Sequence, residues 1–258
     1  MKLDSATSVL ITGANRGIGR ALALAMAARG VHLHLQARSE STDLIEECKR
    51  AGAASVRLWK FDLGRKENID ALIENLKTEK IDVLVNNAGQ LTGGLIENQS
   101  LDEIYSMFQV NVNAVVHLTR GLLPQMISQG RGKIVTNASV SAVMHFPCAS
   151  TYAASKAAVL AFTNCLQLEL QGTGVSTLSL ITPGIKTRMF DEIEKKYAQN
   201  FEVPKDSITA EEYAVQICQS IESDAIYLNP TGATGAGLAV AKYLPWLFRR
   251  TVAMKFHR

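Results

Sequence analysis

The feature that most limits how this chain can fold is a repeated order of segments. A short apolar run stops at a glycine or a polar residue, a stretch of helical periodicity follows, and another apolar run begins. Ser8–Thr12, Val31–Arg38, Ser55–Phe61, Ile81–Val85, Lys133–Ser139, Val175–Ile181 and Ala225–Leu228 read as strands. Residues 20–28, 41–51, 66–78 and 101–128 read as helices, and a further helix carries 151–162. Strands separated by helices of this length cannot pair as hairpins. They require crossovers, and crossover helices cover both faces of a parallel sheet. The expected architecture is therefore an α/β fold, a doubly wound parallel β-sheet with helices on both faces, whose ligands sit at the carboxyl ends of the strands. No linker, shift of composition or internal repeat interrupts the pattern before residue 230, so one domain over 1–236 is expected, with 237–258 as a basic, apolar tail.

The first strand ends at Gly13 and leads through Gly13-Ala14-Asn15-Arg16-Gly17-Ile18-Gly19 into an Ala-rich helix. Strand, glycine turn and helix together form a site for a pyrophosphate. The glycines let the backbone turn and approach closely, and the helix start offers free N–H groups and a positive dipole end. The spacing is Gly-x-x-x-Gly-x-Gly. The second strand ends in Arg38, where an NAD site usually carries an acid for the ribose 2′-hydroxyl. With Arg16 in the turn, two guanidinium groups at the 2′ position suit a phosphate, which favours NADP(H) over NAD(H). At the end of the third strand, Asp62 is expected either to accept from the adenine amine or to cap the next helix.

Tyr152 and Lys156 stand four residues apart in Thr151-Tyr152-Ala153-Ala154-Ser155-Lys156, which a helix places on one face one turn apart. An ammonium beside a phenol favours the phenolate, so this pair is expected to let Tyr152 exchange a proton near neutral pH. Asn111 falls inside a long helical pattern, where its amide competes with the backbone, and so marks a position with another task.

Taken together, Thr12–Gly19, Asn86-Asn87-Ala88-Gly89, Asn111, Ser139, Tyr152–Lys156 and Pro183-Gly184 resemble the short-chain dehydrogenase/reductase family, in its order and spacing, over residues 6–230. The resemblance implies a Rossmann-type fold and a hydride transfer between nicotinamide and a carbonyl or secondary alcohol. Tyr152 would act as the acid or base and Ser139 would bond the reacting oxygen. Lys156 would lower the pKa of Tyr152 and hold the ribose hydroxyls, and Asn111 would anchor a water in a proton relay. The cofactor would lie along Gly13, Asn15, Arg16, Gly17, Ile18, Gly19 and Arg38, then Asp62, Leu63, Asn87, Ala88 and Gly89, and finally Tyr152, Lys156, Pro183, Gly184, Ile185 and Thr187. Asn87 would be near the adenosine and Asn86 would brace the sheet. Two departures stand out. Only two residues separate Gly184 from Thr187, one fewer than is common, and the last strand leads into Asn229-Pro230-Thr231-Gly232 rather than an aspartate-glycine-glycine ending. The second speaks against a 3-oxoacyl (acyl-carrier-protein) reductase, which stays an alternative alongside an NAD-dependent alcohol dehydrogenase. A non-catalytic nucleotide sensor is disfavoured because Asn111, Ser139, Tyr152 and Lys156 are all present.

A small molecule is the expected substrate, bound by Gln90–Ile96, Val140–Ala149 and a lid over Arg188–Pro204. Met144, Phe146, Met189, Phe190, Ile193 and Tyr197 either line an apolar pocket or pack an amphipathic lid. The net charge of +3 and the lack of zinc-finger spacing give no reason to expect nucleic acid or a metal. Cys48, Cys148, Cys165 and Cys218 are scattered as free thiols, and the first strand begins too early for a signal peptide, so a cytoplasmic location, with or without membrane association, is expected. A homo-oligomer, dimer or tetramer, is expected as well. His32 and His34 share a strand face and read as packing or solvent contacts. The tail interleaves Leu238, Val240, Tyr243, Leu244, Trp246, Leu247, Phe248 and Phe256 with Lys242, Arg249, Arg250, Lys255 and Arg258 and has no acid. Such a segment either touches a membrane interface or packs on a neighbouring subunit or its own lid.

Overall fold

The strand β1 (Ser8–Thr12) is buried on both faces and forms the centre of the molecule; in this computed structural model residues 1–187 and 207–258 are described. It pairs in parallel with β2 (His32–Ala37) on one side and β4 (Val83–Asn86) on the other. Beyond β2 lies β3 (Ser55–Lys60), and beyond β4 follow β5 (Gly132–Asn137), β6 (Val175–Leu180) and the short β9 (Tyr227–Leu228). The order β3-β2-β1-β4-β5-β6-β9 makes one seven-stranded parallel sheet. The chain leaves β1 in one direction and returns to its other side at β4. The carboxyl ends of these two strands therefore diverge into a crevice, the usual ligand position in such sheets.

Alternate residues of each strand face opposite layers, which is why Val9–Ile11 of β1 and Val83–Val85 of β4, covered on both sides, are apolar without a break. Val9, Ile11, Leu33, Leu35, Val83 and Val85 face α1 (Gly17–Ala27), α2 (Thr42–Arg50) and α7 (Ala210–Glu222). Leu10, Leu84 and Ile134 face α3 (Lys66–Leu76), α5 (Ala114–Ser128) and the C-terminal part of α6 (Ser150–Glu169), through Ile69, Leu72, Leu118, Leu122 and Leu166. His34 stacks on Trp59 and accepts its indole N–H at 3.2 Å, so it serves packing as expected.

The structure differs from the sequence expectation in four places. The helix expected over 101–128 is two, α4 (Leu101–Phe108) and α5, joined by one wide π turn over Gln109–Asn113 that contains Asn111. A strand expected to reach Ser139 ends at Asn137, because Ala138 donates back to the Thr136 carbonyl and the chain turns out toward the end of β6. A small parallel pair, β7 (Gly184–Lys186) with β8 (Ser207–Thr209), brackets residues 188–206. Three-residue strands carry too little alternation to be read. Finally, the tail is a helical hairpin, α8 (Gly232–Tyr243) and α9 (Pro245–Ala253), and α8 runs through residue 237. No described helix is long and apolar enough to cross a membrane.

Candidate active site

The glycine turn is built from close backbone approaches. Gly13 has φ +64°, and a Cβ there would stand 2.9 Å from the Ala88 Cα, across the crevice on the β4 side. A Cβ on Gly19 would land on the Gly13 carbonyl oxygen. Both positions therefore exclude side chains for steric reasons. Gln36 holds the turn in place. Its Oε1 accepts the Gly13 N–H at 3.0 Å, its own carbonyl accepts from Ala14, and its Nε2 donates to Phe61 O at 2.7 Å. The sequence reading missed this residue, although a glutamine in an otherwise apolar buried strand marks a polar task. The first turn of α1 contains no acid, and its N-cap, Arg16, makes no side-chain cap, so the helix start keeps its N–H groups for a ligand.

A cleft of about 870 Å³ runs from this turn along the carboxyl ends of the strands. At one end it is lined by Arg16, Arg38, Ser39 and Asp62, in the middle by Gly13, Gly17, Ile18, Asn87, Ala88 and Gly89, and at the other end by Ser139, Tyr152, Lys156 and Pro183–Thr187. The sequence-derived residues Asn15, Leu63, Gly184 and Ile185 line it too. Gly19 lies beneath the turn, and Asn111 sits behind Gly89. Arg20, a further lining residue, is taken up by Asp43 at 3.0 Å and Glu47 at 2.8 Å. Among the described residues no acid pairs with Arg16 or Arg38, which are exposed at the cleft end. Asn15 Nδ2 reaches Ser39 Oγ at 3.4 Å and so ties the turn to the end of β2. Ser39 is a second residue the sequence reading did not single out. Asp62 does not cap α3, whose N-cap is Arg65. Its Oδ1 accepts the Gly64 N–H at 2.9 Å in the preceding turn.

Asn86 braces the sheet, with Nδ2 donating to Thr119 Oγ1 at 3.2 Å. Asn87 gives its side chain to the protein. Its Nδ2 donates to Thr12 O at 2.9 Å and its Oδ1 accepts from Asn137 Nδ2 at 3.1 Å. From Asn137 the hydrogen bonds continue, because Asn137 Oδ1 accepts from Thr182 Oγ1, which lies 2.9 Å from the buried Tyr213 hydroxyl. One chain of bonds thus pins the ends of β1, β4, β5 and β6 and reaches α7. Tyr213→Phe removes its last member and is expected to lower stability by about 1 kcal/mol, read as a lower urea midpoint at constant slope.

Tyr152, Ser155 and Lys156 lie on one stripe of α6. Ser139 stands beside the Tyr152 hydroxyl, near enough to favour its ionised form. Lys156 Nζ donates to Asn137 O at 2.8 Å and lies 5.8 Å from the centre of the Tyr152 ring. The expected lowering of the tyrosine is not found. Burial pushes Tyr152 up to about 12, opposed by Ser139, and burial pulls Lys156 down to about 8. Desolvation outweighs the ammonium because the amine is turned toward Asn137. Tyr152 therefore keeps its proton throughout the neutral range.

The lysine shift has a consequence for stability. Between pH 8 and 10.5 the unfolded chain holds the Lys156 proton and the folded chain has released it, so folding gains as pH rises through this window. The difference in unfolding free energy between the protein and Lys156→Met should rise with pH there by at most about 1.4 kcal/mol per unit. A difference that stays flat from pH 8 to 10.5 would show the amine to be an ordinary surface charge.

Asn111 works as a bracket. Its Oδ1 accepts the Gln90 N–H at 2.8 Å, and its Nδ2 donates to Gln90 O at 2.9 Å and Ser155 Oγ at 3.0 Å. The π turn turns this amide inward between two elements. A Cβ on Gly89 would stand 3.4 Å from Asn111 Oδ1 and 3.7 Å from Lys156 Nζ, so both polar atoms face the space that this glycine leaves open. Thr187 reaches the cleft despite the short spacing, with its Cγ2 3.4 Å from where a Cβ on Gly17 would be. Leu91, Val140, Met144, Phe146 and Pro147 make the wall beyond Tyr152 apolar. The lid residues Met189, Phe190, Ile193 and Tyr197 lie outside the described residues.

A glycine turn opening α1, a tyrosine and lysine one helical turn apart and a serine on the phenol share one cleft at the sheet's switch point. The short chain dehydrogenase family model matches residues 7–198, and the chain belongs to that family. It is 38% identical over 182 residues to ketoacyl reductase HetN of a Nostoc species, a match covering 69% of this chain and 62% of that protein. It is 30% identical to the 3-oxoacyl-[acyl-carrier-protein] reductase FabG of Haemophilus influenzae, over 86% of this chain and 93% of that one. A short-chain dehydrogenase from Burkholderia phymatum in complex with NAD matches with a TM-score of 0.83 at 25% identity, covering 97% of this chain and 96% of that one. The short-chain dehydrogenase from Sphingobium yanoikuyae in complex with NADPH shares the fold, with a TM-score of 0.81 at 24% identity over 98% and 97% of the two chains.

Proposed function

We propose that this chain is an NADPH-dependent reductase of aldehydes or ketones borne on apolar molecules. The observation that carries the proposal is one continuous cleft, which has Arg16 and Arg38, without an acid partner among the described residues, at one end and Ser139 beside Tyr152 within an apolar wall at the other. The cleft's chemistry fits a dinucleotide, with room for a diphosphate at the uncapped start of α1 and two guanidinium groups for a 2′-phosphate. When bound, NADPH supplies the hydride. The chain's own residues would do the rest. Tyr152 gives its phenolic proton to the carbonyl oxygen, and Ser139 donates a hydrogen bond that orients that oxygen. Lys156, with Asn137 taking one of its three N–H donors, holds the ribose hydroxyls with the others. The Asn111 bracket fixes the Gln90 segment against Ser155 and leaves one lone pair of Oδ1 for a water beside Gly89. The apolar wall excludes bulk water from the reacting groups.

A second reading, a 3-oxoacyl (acyl-carrier-protein) reductase-like enzyme, is favoured by the two reductase relatives. Following NADPH absorbance over a panel that includes aliphatic ketones, aromatic aldehydes and a 3-oxoacyl thioester tests both. Turnover of apolar ketones above the thioester supports the first reading; thioester turnover alone supports the second. No NADPH consumption with any member would remove both.

A further inference from the structure

The C-terminal hairpin shows its apolar side chains to solvent. In α9 the inward positions are Phe248 and Val252, four residues apart, and Phe248 meets Phe146 edge to face at 5.8 Å. The opposite side of the same helix, set by the 100° step per residue, carries Trp246, Leu247, Ala253 and Met254, with Arg250 among them. Trp246 is 64% exposed, Met254 68%, and Tyr243 at the hairpin bend 72%. Leu101, Tyr105 and Leu168 are as exposed elsewhere, but the first two stand beside Asp102 and Glu103, whereas the hairpin residues stand among cations. Around the patch stand Lys242, Arg249, Arg250 and Lys255, none with an acid partner among the described residues, while Arg258 pairs with Glu97 at 2.6 Å. The hairpin belongs to the rim of the cleft. Ala233 and Thr234 of α8 line it, and the Met144 Cε lies 3.1 Å from where a Cβ on Gly237 would be.

We propose that this face docks on an anionic lipid surface, with Trp246, Leu247 and Met254 entering the interface and the four cations meeting the headgroups. A helix with an outward aromatic and aliphatic stripe between basic residues is suited to lie in that plane. The charges decide between lipid and a second copy of the chain. A two-fold interface sets a patch against itself, so the four cations would meet the same four cations, with no acid in the hairpin to offset them. An anionic bilayer supplies the missing charge. Docking sets the rim of the cleft beside the bilayer and does not depend on which reaction the cleft performs.

The full chain should co-sediment with vesicles of phosphatidylcholine and phosphatidylglycerol and stay in solution with phosphatidylcholine alone. Arg249→Gln and Arg250→Gln should each lower partitioning about fivefold, and Trp246→Ser with Met254→Ser should abolish it. All three variants should keep the wild-type circular dichroism and urea midpoint, which separates lost docking from lost folding. In a Trp59→Phe background, the remaining tryptophan, Trp246, should shift to the blue on adding anionic vesicles. Equal recovery with and without phosphatidylglycerol would overturn the proposal, as would charge variants that partition like the wild type. A Trp246→Ser/Met254→Ser variant that loses a subunit in sedimentation velocity, with no vesicle binding by the wild type, would assign the face to a second copy instead.

Discussion

Tyr152→Phe lowers kcat for carbonyl reduction by about 10²- to 10⁴-fold and leaves NADPH affinity within about twofold. The two halves of this prediction come from different parts of the cleft. The phenol sits beyond the glycine turn, in a wall of apolar side chains, with Ser139 beside its hydroxyl. Removing one oxygen deletes the proton donor and keeps the ring, its packing and the path of α6. Because burial holds Tyr152 at about 12, the acid is loaded at every pH a reductase would meet, and the loss in the variant should be equal at pH 6 and pH 8. Dinucleotide affinity is assigned to the uncapped start of α1, to Lys156 and to the two arginines, none of which touches the missing oxygen. Single-turnover reduction and fluorescence titration separate the two effects. A Phe variant that keeps most of its turnover would place the proton source elsewhere.

Arg38→Asp reverses the nucleotide preference. The protein should bind NADPH about 10- to 100-fold more tightly than NADH, the range of one or two charge-assisted hydrogen bonds to a phosphate. The substitution replaces an attractive charge with a repulsive one at the end of β2 and gives the ribose 2′-hydroxyl an acceptor. Arg38 can be exchanged cleanly because it is exposed and has no ion-pair partner among the described residues. Arg20, tied to Asp43 and Glu47, is the control, and Arg20→Gln should leave the preference unchanged. Equal binding of both nucleotides by the wild type would end the argument from the two arginines, a possibility made concrete by the NAD-bound Burkholderia phymatum neighbour.

The fold was legible because its signals are repeated. A buried parallel strand needs both faces apolar, so strand-like runs that five times in succession lead into a helix leave one architecture. The positions of Gly13, Ser139, Tyr152 and Lys156 were legible because backbone approach and helical spacing are local. What the sequence did not disclose depends on contacts between distant segments. Gln36 looks like a polar residue in a strand until β2 is laid beside the glycine turn. The Asn87–Asn137–Thr182–Tyr213 chain joins residues up to 126 positions apart. The π turn at Asn111 was foreshadowed by an asparagine in a helix, but its geometry follows from the Gln90 backbone and Ser155, which only the fold brings there. The pKa of Tyr152 was misjudged because spacing places the ammonium one turn away and does not say which way it turns. In the fold it faces Asn137, and burial prevails.

The central claim is that this cleft delivers a hydride and a proton to one carbonyl. The most direct measurement is the fate of label when a ketone that turns over is reduced with NADPH carrying deuterium at the transferable position, in ordinary water. The product should carry deuterium on the former carbonyl carbon, form in step with NADPH consumed, and be lost in Tyr152→Phe. Product without deuterium on that carbon, or product formed at the same rate by the Phe variant, would contradict it.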